Sequence, residues 1–326
     1  MSILHVENLN VTLNTIQGEF KAVSEFSLRV DSGEIHGIIG ESGSGKSMMA
    51  RAILGLLPHN ASFSADYLSI DGINLLNLKP QKRREIICKK MSIIFQDSAN
   101  SLDPCFTVGY QLDQTLKVHE KGSSIQRKNR AMELLQSVGF ESPETLVNYY
   151  PHQLSHVIRQ RISIATTIAS RPLLLIADEP TSGLDPTSQS QINELLLRLN
   201  VRNNMSILLI THDFAILSQR SDSMTVMYCG EIMETGYSYD LLSHPRHPYT
   251  RALMDSVPSH QHNDMHRKPL FALKGVVPPL HYLPIGCTLG PRCPQANKTC
   301  VKKPGLTRDD NQPVRCHFPL NDKELS

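Results

Sequence analysis

Residues 40–47 read GESGSGKS, a spacing of glycine, lysine and serine that can wrap a phosphate group. The run follows an apolar stretch, EIHGII, and precedes a helical pattern, MMARAILGLL, so GxxxxGK[ST] falls in its strand, loop, helix context. Glycine lets the backbone curl until successive amide hydrogens point inward, and the start of a helix adds a favourable dipole. The loop comprises Gly40, Glu41, Ser42, Gly43, Ser44, Gly45, Lys46 and Ser47. Lys46 is placed to bridge the β- and γ-phosphates of a nucleoside triphosphate, and Ser47 to offer its hydroxyl to Mg2+. A second run, LLLIADEP at 173–180, reads as a buried strand ending in two carboxylates. Asp178 suits a Mg2+ ion held through water, and Glu179 suits polarising an attacking water. Kinases, GTPases and helicases carry similar loops, so other residues must choose among them.

The elements that must position these groups follow from hydrophobic pattern. Strand-like segments at 34–39, 91–95, 173–177, 206–210 and 224–228 alternate with helical ones, which predicts an α/β domain with a largely parallel sheet. Residues 105–165 carry helical patterns, RAMELLQSVGF among them, without a strong strand signal, and read as a helical subdomain. After residue 242 the composition turns to Pro, His and Gly, which separates a domain at 1–242 from a loop-rich, cysteine-containing extension at 243–326. The basic stretch KPQKRREIICKK at 79–90 reads as the solvated face of a helix.

Composition narrows the class. The chain has 326 residues and a formal charge of +2, which gives no broad electrostatic reason to expect nucleic acid. The first residues, MSILHVENLNVTL, alternate like a strand and lack a secretory signal, so a cytoplasmic location is expected. No apolar run approaches the roughly 18 to 20 residues of a membrane span, so any membrane work falls to partners. Seven cysteines are present, and Cys287, Cys293, Cys300 and Cys316 crowd into the extension. In a reducing compartment such crowding favours a metal site over disulfides. Their separations of five, six and fifteen residues do not include the short pairs usual for zinc, so spacing alone leaves the metal open.

Three further motifs stand in order behind the loop: Gln96 in MSIIFQD, SGLD at 182–185 directly after DEPT, and His212 in ILLITHD. The ordered set resembles the nucleotide-binding subunits of ABC transporters: a P-loop NTPase of α/β class with a helical subdomain. The resemblance implies that Gln96 touches Mg2+ and senses a membrane subunit, that Asp185 lies in the loop crossing to a partner ATPase, and that His212 meets the γ-phosphate. Phe20 is the nearest aromatic that could stack on the adenine. DSANSLDPCFTVG after Gln96, HPRHPYTRALMDSVP after the ATPase domain, and the cysteine-bearing tail LPIGCTLGPRCPQANKTC with RCHFPLNDKE are similar to the oligopeptide and dipeptide branch. Within that branch the tail resembles systems linked with antimicrobial peptides. The corresponding region there is associated with a [4Fe–4S] cluster, to which four thiolates are suited; zinc ranks second, and metal-free thiols are the third reading.

One motif departs from the family. An LSGGQ-like signature is expected where LSHVIRQR stands, with His156 and Val157 in place of both glycines while Ser155 remains. In such dimers the signature caps the nucleotide held by the opposite subunit, and a β-branched Val157 would crowd that phosphate. The expected partners are therefore a second, non-identical ATPase with an intact signature, two membrane permease subunits and a substrate-binding protein. The expected seat is the cytoplasmic face of the bacterial inner membrane. Hydrolysis of ATP would drive transport, with peptides, polyamines and haem all open as cargo. The rival readings are a non-hydrolysing regulatory module and a soluble ABC ATPase of DNA repair or translation.

Overall fold

The computed structural model describes residues 1–120, 122–256, 273–307 and 311–320. The last two residues of HPRHPYTRALMDSVP and residues 321–324 of RCHFPLNDKE lie outside the described residues. The chain forms two compact units, one of Met1–Leu4, Val30–Glu34 and Ser69–Leu209, the other of His5–Arg29, Ile35–Leu68 and Ile210–Ser326.

In the first unit Met91–Ile94 pairs in parallel with Leu174–Asp178, Met91 facing Leu174 and Ile94 facing Ala177. Ser206–Thr211 adjoins Leu174–Asp178 on its other side. Every residue of LLIAD and SILLIT is buried, as expected of parallel strands that have no solvent-facing side. These strands start and stop within two residues of where the apolar runs place them. Between Met91–Ile94 and Leu174–Asp178 come the helices Val108–His119, Ser124–Ser137, Pro143–Leu146 and His156–Ile168, with no strand among the described residues. The caps are written in the sequence. Ser123 and Gln126 bond reciprocally as a capping box, and Thr107 accepts the Tyr110 amide at 3.4 Å. The basic stretch forms Pro80–Lys90, where Glu85 pairs with Lys82 and Lys89 at 3.1 and 2.9 Å and Ile87 alone is buried. It is the solvated face that its pattern predicts.

In the second unit Ile35–Ile39 runs parallel to Ser223–Tyr228, His36 facing Ser223, and all five of its residues are buried. Ser223–Tyr228 pairs antiparallel with Glu231–Tyr237, with a bulge at Val226/Met227. The extension covers this last strand: Arg315 N–H donates to Met233 O at 2.7 Å and Thr235 N–H to Pro313 O at 3.0 Å. An edge that is paired in this way no longer offers itself to other chains. The tail is pinned at Glu234, fully buried, whose carboxylate accepts from the amides of Arg246 and His247 at 2.7 and 3.1 Å and from Gln312 Nε2 at 2.6 Å. A buried carboxylate is tolerable only when so fully bonded. Ser2–Thr15 and Gly18–Asp31 lie side by side as long strands, and Ala61–Ser64 pairs antiparallel with the former, Asn10 facing Ser64. The first of these is the expected N-terminal strand; the second and Glu231–Tyr237 carry no run strong enough to announce them.

Candidate nucleotide site

The phosphate-type loop lies in the second unit, between the strand Ile35–Ile39 and the helix Lys46–Leu54. Two of its glycines are dictated by space. A Cβ on Gly40 would collide with the carbonyl of Met227, and one on Gly45 would sit 2.5 Å from the Ala22 carbonyl oxygen. Gly45 also has φ +96, which only glycine adopts without strain. It starts the helix with no side-chain hydrogen bond on the first turn, which leaves the opening amides to a ligand. Lys46 is 5% exposed, and its Nζ donates to Gly40 O at 2.7 Å, Glu41 O at 2.9 Å and Ser44 Oγ at 3.2 Å. The ammonium is thus held inside the ring of the loop. Ser47, next on the helix, is half-buried, while Ser42 and Gly43 are exposed at the tip.

Phe20 and His212 belong to the same unit. Phe20 is half-buried and meets the His281 ring edge-on at 6.0 Å between centroids. His212 is exposed at the end of Ser206–Thr211, just before Asp213, which caps the helix Phe214–Arg220 through the amides of Ala215 and Ile216.

The remaining residues expected to act on the nucleotide lie in the first unit. Asp178 ends the buried strand and is itself 5% exposed. Glu179 follows with φ +46, a left-handed conformation that costs a non-glycine residue about 1–3 kcal/mol and is kept where the surrounding structure demands it. Its Oε2 accepts from Gln96 Nε2 at 2.9 Å, so the structure brings Gln96 and the second acid together. Asp185 caps the helix Pro186–Asn203, accepting from the Ser188 amide at 3.0 Å and its hydroxyl at 2.6 Å. Those hydrogen bonds hold its carboxyl below the ordinary carboxylate range.

Ser155 caps the helix His156–Ile168, its Oγ accepting the Ile158 amide at 3.4 Å. His156 and Val157 are half-buried on the first turn, and His156 Cε1 stands 3.6 Å from where a Cβ on Gly183 would lie. Gln160, on the same helix, is a residue that sequence reasoning missed. It is 4% exposed, accepts from Ser98 Oγ at 2.9 Å and donates to Pro180 O at 2.6 Å. It ties the segment after Gln96 to the segment after Glu179. The available signal was a polar residue at a core-facing helical position.

The thiols of the extension converge. Cys287, Cys293, Cys300 and Cys316 all line one cavity of about 20 Å³, together with His247 and Phe318. Burial pushes the Cys287 and Cys293 thiols up and that of Cys316 to about 11, so these three stay protonated at neutral pH. The expected [4Fe–4S] cluster finds no support beyond this convergence. Among the described residues no group of three or more His, Cys, Asp or Glu side chains stands ready to hold a metal ion.

Known proteins place these features. A family model described as ABC transporter matches residues 23–182, and one described as the oligopeptide/dipeptide transporter C-terminal region matches residues 233–300. The dipeptide transport ATP-binding protein DppD of Haemophilus influenzae is 44% identical over 324 residues, covering 99% of this chain and 97% of its own. The peptide transport system ATP-binding protein SapD of Salmonella typhimurium is likewise 44% identical, over 326 residues, at 98% and 99% coverage. Of solved structures, the dimeric ATP-binding cassette MJ0796 in a post-hydrolysis state bound to ADP and Pi aligns with a TM-score of 0.63 at 27% identity, covering 72% of this chain and 98% of its own. The chain belongs to the ABC transporter family, in the branch that carries the oligopeptide/dipeptide C-terminal region. The equal identities to DppD and SapD set dipeptide and Sap-type systems level.

Proposed function

We infer that this chain is the ATP-hydrolysing subunit of a peptide-carrying ABC transporter. The observation that carries the reading is the uncapped helix start at Gly45 with Lys46 curled into the loop behind it. An incoming triphosphate takes up the opening amides and draws the Lys46 ammonium from the loop carbonyls onto the β- and γ-phosphates. Ser47 would offer its hydroxyl to Mg2+ and Asp178 would hold it through water, and the ion would supply charge neutralisation at the transferring phosphoryl group. Glu179 polarises the attacking water, His212 meets the γ-phosphate, and Phe20 faces the adenine. The Gln96 hydrogen bond to Glu179 gives a membrane partner a handle on the reaction, because moving Gln96 breaks a bond to the carboxylate that orients the water. Hydrolysis yields ADP and phosphate.

No helix of the described residues is long and apolar enough to cross a membrane. On this reading permease subunits supply the membrane path, and the chain works at the cytoplasmic face of the inner membrane. A groove of about 470 Å³ just beyond Gln96 suits a short amphipathic helix of a permease. It is lined by Phe95, Phe106 and Tyr110, which are 40, 43 and 47% exposed, and the last two stack at 4.6 Å. The second ATPase is a different chain with an intact signature, because the first turn of the helix His156–Ile168 carries the β-branched Val157 where a glycine would let phosphate approach. A substrate-binding protein delivers the peptide. At the thiol cavity four sulfurs suit a thiolate-bound [4Fe–4S] cluster first and zinc second; iron, sulfide and visible absorbance in anaerobically purified protein test it, and a colourless, metal-free preparation rejects it.

The deciding experiment is Glu179→Gln in the assembled transporter. Phosphate release should fall about 100-fold or more while ATP binding persists and the closed dimer accumulates. Unchanged hydrolysis would overturn the role of Glu179.

A further inference from the structure

An acid is an odd occupant of a loop built to receive a triphosphate, since a carboxylate repels the ligand unless something neutralises it. Glu41, the second residue of the loop, is neutralised from far along the chain. Arg292 Nη1 donates to both Glu41 carboxylate oxygens at 3.1 and 3.0 Å. The same atom donates to Tyr228 Oη at 3.2 Å, and Arg292 Nε donates to Lys274 O at 3.2 Å. The Arg292 side chain is 8% exposed and that of Glu41 30%, so the guanidinium is desolvated while the carboxylate keeps some contact with solvent. The main chain of Glu41 is held as well: its N–H donates to Tyr249 Oη at 2.9 Å. Tyr249 is fully buried on the helix Pro248–Asp255 and packs edge-on against Tyr228 with centroids 4.9 Å apart. Both handles of one loop residue are therefore held by the C-terminal region, with Tyr228 of the strand Ser223–Tyr228 bracing the arginine.

We propose that Arg292 is a positioning residue for the nucleotide: it neutralises and anchors Glu41, and so sets the affinity of the loop for the triphosphate. Without it, the Glu41 charge stands uncompensated beside the phosphates, and the loop keeps only its main-chain anchor on Tyr249. The proposal gives the extension a task at the ATP site. Arg292 sits in a short turn, Gly290–Arg292, whose next residue is Cys293; Cys293 N–H donates to Leu289 O at 3.0 Å, which ties the turn to the wall of the thiol cavity. Correct folding around the cysteines is what delivers the guanidinium to the loop.

This inference rests on the nucleotide-binding reading, and its test separates the two. The full-length chain is titrated with a fluorescent ATP analogue and Mg2+, and KM and kcat are measured in the assembled transporter. Arg292→Gln should raise Kd about tenfold, ~1.4 kcal/mol, and raise KM in step, with kcat within about twofold of wild type. Adding Glu41→Gln to Arg292→Gln should recover most of the affinity, because the orphaned charge disappears; a role in folding alone predicts no such recovery. Arg292→Lys keeps the charge but cannot span Glu41, Tyr228 and the Lys274 carbonyl together, and should bind about threefold more weakly than wild type. Affinity within twofold of wild type, in whichever single variant retains the wild-type melting temperature, overturns the role of Arg292 and leaves the nucleotide reading standing. A wild-type chain that does not bind the analogue overturns the nucleotide reading itself.

Discussion

The helix Lys46–Leu54 and the helix His156–Ile168 both begin at residues expected to face phosphate, and they begin in opposite ways. The first starts at a glycine with φ +96 and no side-chain hydrogen bond; the second starts at Ser155, whose hydroxyl already accepts the Ile158 amide. An uncapped start is unfavourable alone, because its amides lack partners, and that is what makes it a receptor. A serine cap takes up one opening amide and keeps its own O–H to donate, so such a start is partly satisfied before any ligand arrives. On the proposed reading the loop is the stronger nucleotide contact of this chain, and the signature helix, with Val157 on its first turn, the weaker.

The comparison breaks most readily at Lys46. Lys46→Ala removes the cation held at the loop's centre and should lower ATP turnover of the assembled transporter about a thousandfold, ~4 kcal/mol, in a phosphate-release assay. Retained turnover would mean that the uncapped start is not the working one. A third helix start, that of Pro248–Asp255, shows a cap sealed from solvent. His247 Nδ1 accepts the Tyr249 amide at 3.0 Å, and burial lowers the imidazole pKa from 6.5 to about 4. Below pH 6.5 the unfolded ring takes a proton that the folded ring refuses until about pH 4, so stability is full above that window and falls as pH drops through it. The loss should reach about 3 kcal/mol by pH 4. His247→Asn keeps a capping side chain without the titration, and denaturant melts at pH 7 and pH 4.5 should show a smaller acid loss than wild type; equal losses would place the titration elsewhere. Gly45→Ala comes next. It drives a methyl toward the Ala22 carbonyl in a left-handed backbone, and should cost about 2 kcal/mol of stability by melting.

Legibility followed the same divide between local and distant causes. The loop was readable because its glycines, lysine and serine are fixed at short range, and the buried strands because continuous apolar runs admit few alternatives. Tyr249 and Arg292 were not readable, since they meet Glu41 across 208 and 251 residues of chain. No local pattern encodes such pairings. Gln160 gave a faint signal as a polar residue on an apolar face, whereas no local pattern marks Phe95, Phe106 and Tyr110 as exposed. The left-handed Glu179 was silent as well: an acid at a strand end does not reveal its φ. The convergence of four cysteines was legible from their crowding, but what they hold was not, because thiols that burial keeps protonated give no sign of the cation that would deprotonate them.

The signature helix offers the two smaller tests. Ser155→Ala deletes the cap and should cost about 1 kcal/mol in thermal or urea unfolding, the ordinary worth of a serine N-cap. Val157→Gly is subtler, because two effects oppose each other. Glycine in the first helical turn weakens the helix by up to about 1 kcal/mol, yet it removes the methyl groups that would crowd a phosphate arriving from a partner. In the assembled transporter the second effect should show as a two- to fivefold rise in ATP turnover, a gain of about 1 kcal/mol or less in barrier. Paired with Glu179→Gln, the valine substitution should leave a small residual turnover that the Glu179 variant alone lacks. If Val157→Gly changes neither rate, crowding at the signature is not what limits the second site, and the two helix starts differ in structure without differing in use.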